Sequence, residues 1–537
     1  MAKNGKTTFL RLARKSHIFT WPGILFLVLS IQIFGGLKSR WILQNGDAAG
    51  YVDILSPDAG VSTFRFAYGF STTRLFELIR LGTEKVSEVG FLDPYQYVPF
   101  YQAHPYLIGF IIRFMRIKVL PIEFLPLAAL SMSYAIGLVA LVCFARKNKI
   151  NTYLSLILIS IILTSPIFIF SLIGQPYIDR LSFGPFIIIF LKLIEPRNLA
   201  RKEWIQVLCL ILICILLSER SSLMVGVLVI TLTLLTKRRA EPISGFGKLA
   251  FSLALLGIGW YIFWSSAISR NRDIANNSNF NMLIYNGKSF LFGNRHELAI
   301  TFIFTLLPFL IAIIFRSKYF LLLPIFVAPN ILVSIGGAEL SGYYTHYHAM
   351  YLPIAVTVLY ISVLMFFTSS KSPSKRIILT ATLIFALSLN FLQYEKGNLH
   401  PVNFKIYFGQ IADSLGFIPS EVKAAREARE IEFTRIFQSI DPINSGISLP
   451  EGLMPLSLSN GMTKMSYFPV GIGQSEYLIV PFTDEKFTSV EFSLYGLVPA
   501  KDRKDWSDTI LGAIEKSYSK IRTYSGSYGF VGLYKKR

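Results

Sequence analysis

Charged residues and cysteines are both scarce in this chain of 537 residues. Only 16% of the residues are charged and 53% are hydrophobic, a balance too apolar for a globular enzyme of this length. The three cysteines all lie in apolar runs, so the sequence offers neither a disulfide framework nor a thiolate metal site. A nucleotide-binding loop, a dinucleotide fingerprint, a nucleophile elbow and an H-E-x-x-H helix are also missing, which argues against a nucleotide-driven pump, a nicotinamide enzyme and a zinc protease.

What the chain has instead is a series of apolar runs of about 15–22 residues, the length that crosses the hydrocarbon core of a bilayer. The basic amino terminus resembles a signal peptide but lacks a small-residue cleavage site, so we expect an uncleaved first span. Two of the runs are shorter than a comfortable span and would also fit a re-entrant pair. The eleven runs lie near residues 18–37, 124–145, 152–172, 181–194, 204–218, 221–236, 247–267, 297–315, 319–336, 350–368 and 377–394, the two short ones being 181–194 and 204–218.

The formal net charge of +21 is distributed as topology signals and not as a nucleic-acid-binding face. The basic clusters lie on alternate connections, and together with the amino terminus they fall on one side. The positive-inside rule makes that side cytoplasmic and places the carboxyl-terminal region outside. The basic clusters lie at residues 146–149, 197–202, 237–239, 316–318 and 371–376.

Two segments outside the spans are predicted to have structure of their own. The first outer loop, residues 38–106, contains an amphipathic segment at 71–88 that suits the membrane interface. After residue 394 the composition becomes that of a soluble domain, with a charged helix and short strand-like runs. The helix is predicted at 420–437 and the strands near 446–449, 477–481, 489–492 and 530–534.

The predicted fold is therefore mainly α. Residues 1–394 form a polytopic helical membrane bundle of about eleven transmembrane helices, with the amino terminus inside and the carboxyl terminus outside. Residues 395–537 form a small α/β domain on the outer face.

Ionisable groups near the outer ends of the spans are the candidate functional residues, because such groups are costly to place there and usually pair or line a wet cavity. Asp47 can act as a proton acceptor or a metal ligand, or simply form a turn after Asn45-Gly46. His104, followed by Pro105, can accept a proton or contact phosphate, or merely begin a helix.

Three further clusters are predicted on the same side. Asp179 and Arg180 offer a guanidinium to phosphate oxygens, or form a solvated loop pair. Glu219 and Arg220 interrupt an apolar stretch, where a solvated loop is a poor explanation for a charged pair. The third cluster suits a sugar face, a phosphate or a metal ion, or else an interfacial aromatic belt, and consists of Tyr344, His346 and His348.

This order of parts resembles the GT-C superfamily of membrane glycosyltransferases, in which one span is followed by a long outer loop opening on an Asp. The segment His104-Pro105-Tyr106-Leu107 is similar to the H-P-x-L entry to their short helix. A closer likeness is to a family of uncharacterised bacterial polytopic proteins within that superfamily. It is found in LSERSSL at 217–223, in YTHYHAMYLP at 344–353, and in the outer domain at 453–458, 467–469, 476–480 and 529–534.

The resemblance implies an inverting glycosyltransferase of the bacterial inner membrane with Asp47 as general base. Its partners would be a polyprenyl-phosphate sugar donor, a glycan, lipid or protein acceptor on the outer face, and membrane lipids, with no nucleic acid. No cofactor follows, and because the first loop lacks the paired acids of many relatives, a divalent metal ion is left open. The substrate-binding residues would be His104, Asp179, Arg180, Glu219, Arg220, Tyr344, His346 and His348.

Two other functions fit the sequence. A translocator or flippase for envelope glycolipids predicts ionisable groups along the helix cores, lining a path. An assembly or binding protein predicts that the outer domain, residues 395–537, does the work and that Asp47 is dispensable.

Overall fold

A computed structural model gives the architecture of the chain, which is mainly helical with a small sheet. It describes residues 21–32, 125–148, 152–173, 178–195, 199–236, 245–270, 309–310, 315, 317–326, 351–369, 372–395, 398–401, 431–441, 445–450, 453, 456–457, 460, 462, 465–469, 472–473, 475–491, 503–526 and 529–537.

The helices that precede the sheet follow the predicted apolar runs. Short 3-10 turns lie at Ile178–Ser182 and Lys318–Leu321. The α-helices are α1 (Trp21–Gln32), α2 (Leu125–Lys147), α3 (Thr152–Thr164), α4 (Pro166–Ile173), α5 (Phe183–Leu193), α6 (Arg201–Leu217), α7 (Glu219–Thr236), α8 (Gly245–Arg270), α9 (Leu352–Ser369) and α10 (Pro373–Leu389).

Several of these helices can cross a bilayer. Within the described ranges, four are long and apolar enough: Ala129–Lys147 of α2, all of α7, Gly245–Phe263 of α8, and all of α9. Helix α8 exposes Leu255, Leu256 and Ile262, as expected of a helix that faces lipid. The length and composition of these helices are consistent with the predicted membrane bundle, while the count of eleven spans stays a prediction.

The predicted run at 152–172 is divided into two helices. Pro166 has no backbone N–H and its ring clashes with the preceding turn, so α3 ends at Thr164 and α4 begins at the proline. The backbone N–H of Ser165, between them, donates to the carbonyl of Ile162 at 3.2 Å.

Helix α5 is short and central. Its 11 residues measure about 16 Å, less than the hydrocarbon thickness of a bilayer. It packs against α6, α7 and α9, and Phe186, Ile187 and Phe190 are fully buried. A helix buried on so many sides belongs to the interior of the bundle.

The carboxyl-terminal part contains a hairpin and a five-stranded sheet. Strands β1 (Leu392–Glu395) and β2 (Asn398–Pro401) form the antiparallel hairpin directly after α10. The sheet comprises β3 (Ile447–Leu449), β4 (Met465–Tyr467), β5 (Tyr477–Phe482), β6 (Tyr518–Gly526) and β7 (Gly529–Lys536), and helix α11 (Arg503–Ser517) precedes β6.

The sheet order is β4-β3-β5-β7-β6, with β3 parallel to β4 and β5, and β7 antiparallel to β5 and β6. Phe433 and Phe437, in the helical stretch 431–438, pack on one face with Ile479, while Ile510 and Ile514 of α11 cover the other. Strand β5 is buried almost throughout, which explains its continuous apolar sequence.

Strands β3, β5 and β7 lie where the sequence predicted them. Of the predicted strand at 489–492, the described residues 489–491 form a single bridge, between Val490 and Phe482. Helix α11, strands β4 and β6 and the β1–β2 hairpin were not predicted.

Two compact units divide the chain. The first comprises Met1–Gly36, Leu127–Tyr261 and Asn279–Ile411, and it contains α1–α7, α9, α10 and the hairpin. The second comprises Leu37–Pro126, Ile262–Ser278 and Ala412–Arg537, and it contains the five-stranded sheet and α11.

Candidate functional site

Four charged residues meet inside the first unit, and we call them the charge cluster. Asp179 and Arg180 lie in the 3-10 turn Ile178–Ser182, and Glu219 and Arg220 are the first two residues of α7. Asp179, Arg180 and Glu219 are buried, with at most 6% of each residue exposed. Side chains of this kind are rarely buried without a specific arrangement around them.

The amino terminus of α7 is fixed by serine hydroxyls. The Ser218 Oγ accepts a hydrogen bond from the Ser221 N–H at 3.0 Å, which caps the helix. The Ser222 Oγ donates to the carbonyls of Glu219 at 2.7 Å and Gly257 at 3.1 Å, tying α7 to α8. Because the positive end of the helix dipole lies here, a carboxylate at position 219 is favoured.

The 3-10 turn is held by a second set of hydroxyls. The Ser182 Oγ donates to the Asp179 carbonyl at 2.5 Å. The Ser133 Oγ of α2 donates to the Leu181 carbonyl at 2.7 Å and accepts from the Gly184 N–H at 3.0 Å. A Cβ on Gly184 would lie 2.5 Å from the Ser133 carbonyl oxygen, so only glycine allows this approach of α2 and α5.

Arg180 anchors the turn to the end of α4. Its Nη1 donates to the Ser171 carbonyl at 2.7 Å, and that carbonyl belongs to the last helical turn, where no intrahelical donor remains. The Ser171 hydroxyl forms a hydrogen bond with the Tyr134 hydroxyl. Tyr134 in turn stacks on Phe183 with ring centroids 4.1 Å apart. Arg180 is therefore part of a packed network that includes a hydroxyl pair and two rings.

Arg220 is the accessible member of the charge cluster. Its side chain is 27% exposed, against 8% for Asp179 and 6% for Glu219. The Arg220 Nη1 lies 3.9 Å from the Asp179 Oδ2, and its Nε lies 3.9 Å from the Glu219 Oε1. Two carboxylates thus flank a guanidinium that is partly exposed.

The charge cluster is electrically balanced. Two carboxylates and two guanidiniums sum to a formal charge of zero, which lowers the cost of burial. Chemically, the arrangement can present guanidinium N–H groups to phosphate or carboxylate oxygens, an interaction strengthened by the charges.

The structure brings together four of the predicted site residues, Asp179, Arg180, Glu219 and Arg220. The interpretation of Asp179 and Arg180 as a solvated loop pair is wrong, because both are buried. The other predicted site residues lie outside the described residues; they are Asp47, His104, Tyr344, His346 and His348.

Sequence reasoning missed the uncharged residues that hold the charge cluster in place. Ser133, Tyr134 and Ser171 are polar residues inside apolar runs, and no local spacing links them to Arg180. Ser171 lies near the predicted outer end of its run at 152–172, whereas Ser133 and Tyr134 lie near the middle of the run at 124–145, so position in the run was no guide to them.

The described ranges contain no set of side chains arranged to bind a metal ion. No group of three or more His, Cys, Asp or Glu side chains there is close enough to hold one. The question of a metal at the first outer loop concerns residues beyond those ranges.

An apolar groove lies along helices α1, α2 and α5. It has a volume of about 360 Å³ and is lined by Leu25 of α1, Ile188 of α5 and residues of α2 between Met132 and Ala140. Met132 directly precedes Ser133 in α2, but the Met132 side chain is exposed and Ser133 is buried, so the two side chains lie on different sides of the helix.

Compared with known proteins, the chain matches no protein-family model, no curated protein and no solved structure. A function for it therefore has to come from its own residues.

Proposed function

We propose that the chain is an inverting membrane glycosyltransferase. It would transfer a sugar from a polyprenyl-phosphate donor to a glycan, lipid or protein acceptor at the outer face of a bacterial inner membrane. The observation that carries the proposal is the charge cluster, in which Asp179, Arg180 and Glu219 are buried, the formal charges balance, and the Arg220 side chain is partly exposed.

In this proposal Arg220 binds the phosphate of the donor. Asp179 and Glu219 hold the guanidinium from two sides, so that its position is set before the donor arrives. Arg180 is assigned to positioning, because it is buried and bonded to the Ser171 carbonyl.

The groove along α2 accepts the apolar chain of the donor. Its lining is aliphatic apart from Met132. Helix α2 also carries Ser133, which is bonded to the turn of Asp179 and Arg180. A lipid with an anionic head and a long hydrocarbon tail matches a unit that offers both a charged group and an apolar groove.

The proposed topology of about eleven spans, with the amino terminus inside, assigns Asp47 to the same face as the charge cluster. Asp47 would remove the proton of the acceptor hydroxyl as that oxygen attacks the anomeric carbon. The carboxyl-terminal sheet domain would lie on that outer face too and present the acceptor.

The distribution of buried charge favours an enzyme over a translocator. In the ranges that the structure describes, the buried charged residues are Asp179, Arg180 and Glu219, and all three belong to one cluster. A translocation path would require ionisable groups at several depths along the helices.

The test is sugar transfer by the purified chain in vesicles, with radiolabelled polyprenyl-phosphate sugars supplied one at a time and envelope glycans as acceptors. Asp47→Asn should lower the rate by about 100- to 10,000-fold, the usual contribution of a general base, without changing the unfolding temperature.

Arg220→Gln should lower the rate by roughly 10- to 100-fold by removing charge-assisted hydrogen bonds, and Arg220→Lys should restore part of it. Lys375→Gln is the matched control, because it removes an exposed cation from the start of α10. Full transfer by the Asp47→Asn protein, or no transfer from any donor by the unmodified chain, would contradict the proposal.

A further inference from the structure

Strand β6 is an edge strand with an unusual exposed sequence. It pairs only with β7 among the described strands, and residues 519–523 are all exposed. The pairing register shifts between Lys520 and Arg522, so Ile521 is the extra residue of a β-bulge. Ile521 is 51% exposed and lies between two cations.

The cationic side chains of β6 and β7 lie against aromatic rings. The Lys520 Nζ lies 5.2 Å from the centre of the Phe487 ring, and the Arg522 guanidinium lies 5.1 Å from that of Tyr524. On β7, the Lys535 Nζ lies 5.4 Å from the centre of the Tyr477 ring. Contacts of this kind hold the aliphatic stems while the charged groups reach the solvent.

Positive charge therefore borders the edge on both faces of the sheet. Lys520 pairs with Tyr534 and Arg522 pairs with Leu533, and these two β7 residues belong to the cores on opposite faces. Lys535 forms a 3.8 Å ion pair with Glu476, which offsets part of the charge on its side. We call Lys520, Ile521 and Arg522 the basic edge.

Protection of the sheet edge explains only part of this pattern. Lysines and a bulge on an edge strand prevent unwanted strand pairing. An exposed isoleucine at the bulge does the opposite, since it adds apolar surface at the point that needs protection. Pairing with a second copy is also disfavoured, because it brings like charges together across the new strand pair.

We propose that the basic edge docks on anionic lipid headgroups of the membrane that holds the chain's own helices. Cations that flank an apolar side chain match an interface in which phosphate groups lie next to hydrocarbon. Because the sheet domain belongs to the same chain as the apolar helices, a weak contact with the bilayer would be intramolecular in effect and would be populated at the resulting high local concentration. The inference is independent of the proposed glycosyltransferase activity.

The test is amide hydrogen exchange of the full-length chain in nanodiscs containing one protein each. In nanodiscs of phosphatidylcholine mixed with phosphatidylglycerol, exchange across residues 519–523 should be at least about 5-fold slower than in phosphatidylcholine alone. The difference should shrink as salt is raised, because screening weakens the attraction.

Variants separate lipid docking from other causes of slow exchange. Lys520→Gln with Arg522→Gln should weaken docking about 30-fold and abolish the lipid-dependent difference, and Ile521→Ser should reduce it. Arg435→Gln with Lys504→Gln removes the same charge from exposed positions elsewhere in the domain and should leave the difference intact. Unchanged exchange in the buried strand β5 verifies that each variant is folded.

Equal exchange in the two lipid mixtures would overturn the proposal. Slow exchange at residues 519–523 that does not depend on lipid charge would also overturn it, because it would mean that protein and not lipid covers the basic edge. Loss of the difference in the control pair would show that only the overall charge of the domain matters.

Discussion

Substitution by glutamine should have different effects at the two arginines of the charge cluster: a large loss of stability at Arg180, and a loss of lipid affinity with little loss of stability at Arg220. Arg180→Gln removes a buried cation that is bonded to the Ser171 carbonyl at 2.7 Å. It also leaves the remaining charges unbalanced, with two carboxylates facing one guanidinium. Breaking a buried charge network in this way costs about 3–5 kcal/mol.

Arg220→Gln should be much milder for stability. Its two ion pairs are long, at 3.9 Å, and its side chain is 27% exposed, so solvent screens part of the attraction. We expect a loss of about 1 kcal/mol or less in the free energy of unfolding. Arg220→Gln should instead lower the affinity for an anionic lipid.

Unfolding in mixed micelles, with denaturing detergent as the perturbant, measures the free energy for both variants under one set of conditions. Binding of a polyprenyl phosphate to the folded variants gives the second readout. A stable Arg180→Gln protein would refute the anchoring role of Arg180. An Arg220→Gln protein that binds the lipid as well as the unmodified chain would refute the ligand-facing role of Arg220.

Two further predictions concern packing and a buried hydroxyl. Gly184→Ala should cost about 1–3 kcal/mol, because its Cβ meets the Ser133 carbonyl at 2.5 Å, whereas Gly259→Ala, with nothing within 4 Å, should be neutral or stabilising in the same unfolding assay. Tyr518→Phe should lower the free energy of unfolding of the sheet domain by about 1–3 kcal/mol, since the hydroxyl donates to the Ser475 carbonyl at 2.7 Å and accepts from the Gly473 N–H at 2.9 Å. Burial raises the pKa of Tyr518 above its ordinary value of 10.0. The stability that the neutral hydroxyl contributes is therefore fully present below pH 10 and is lost as the pH rises through the raised pKa. Thermal unfolding of the unmodified chain and of Tyr518→Phe across that pH range should show a flatter pH dependence for Tyr518→Phe.

Bilayer-length apolar runs were the strongest signal in the sequence, because a spanning helix must satisfy every backbone group internally and face hydrocarbon. Helices α2, α7 and α9 accordingly lie close to their predicted ranges. The break at Pro166 was not predicted, although proline cannot continue the preceding turn and the residue is visible in the sequence. The short length of α5 was visible in the sequence, but its central position depends on contacts with helices far along the chain.

The strands of the carboxyl-terminal sheet that were predicted, β3, β5 and β7, are largely buried. Strand β5 is a continuous apolar run and was readable, while β6 is an exposed edge strand with a bulge and carries no alternating apolar pattern. Helix α11 buries Ile510 and Ile514 on one side of an otherwise polar sequence, which is a weak periodic signal.

At the candidate site, the sequence identified the charged residues but not what holds them. Costly ionisable groups beside apolar runs stand out in any sequence. The hydrogen bond between Tyr134 and Ser171, and that from Ser133 to the Leu181 carbonyl, join residues far apart in the chain. Such pairings are set by how helices pack, and no local pattern predicts them.

The most direct measurement is a cryo-electron microscopy map of the chain in nanodiscs with a bound polyprenyl-phosphate sugar. The proposed function predicts phosphate density against the Arg220 guanidinium, the hydrocarbon chain in the groove along α2, and Asp47 lining the same cavity near the anomeric carbon. Phosphate density away from Arg220, or Asp47 on the opposite side of the membrane, would contradict it.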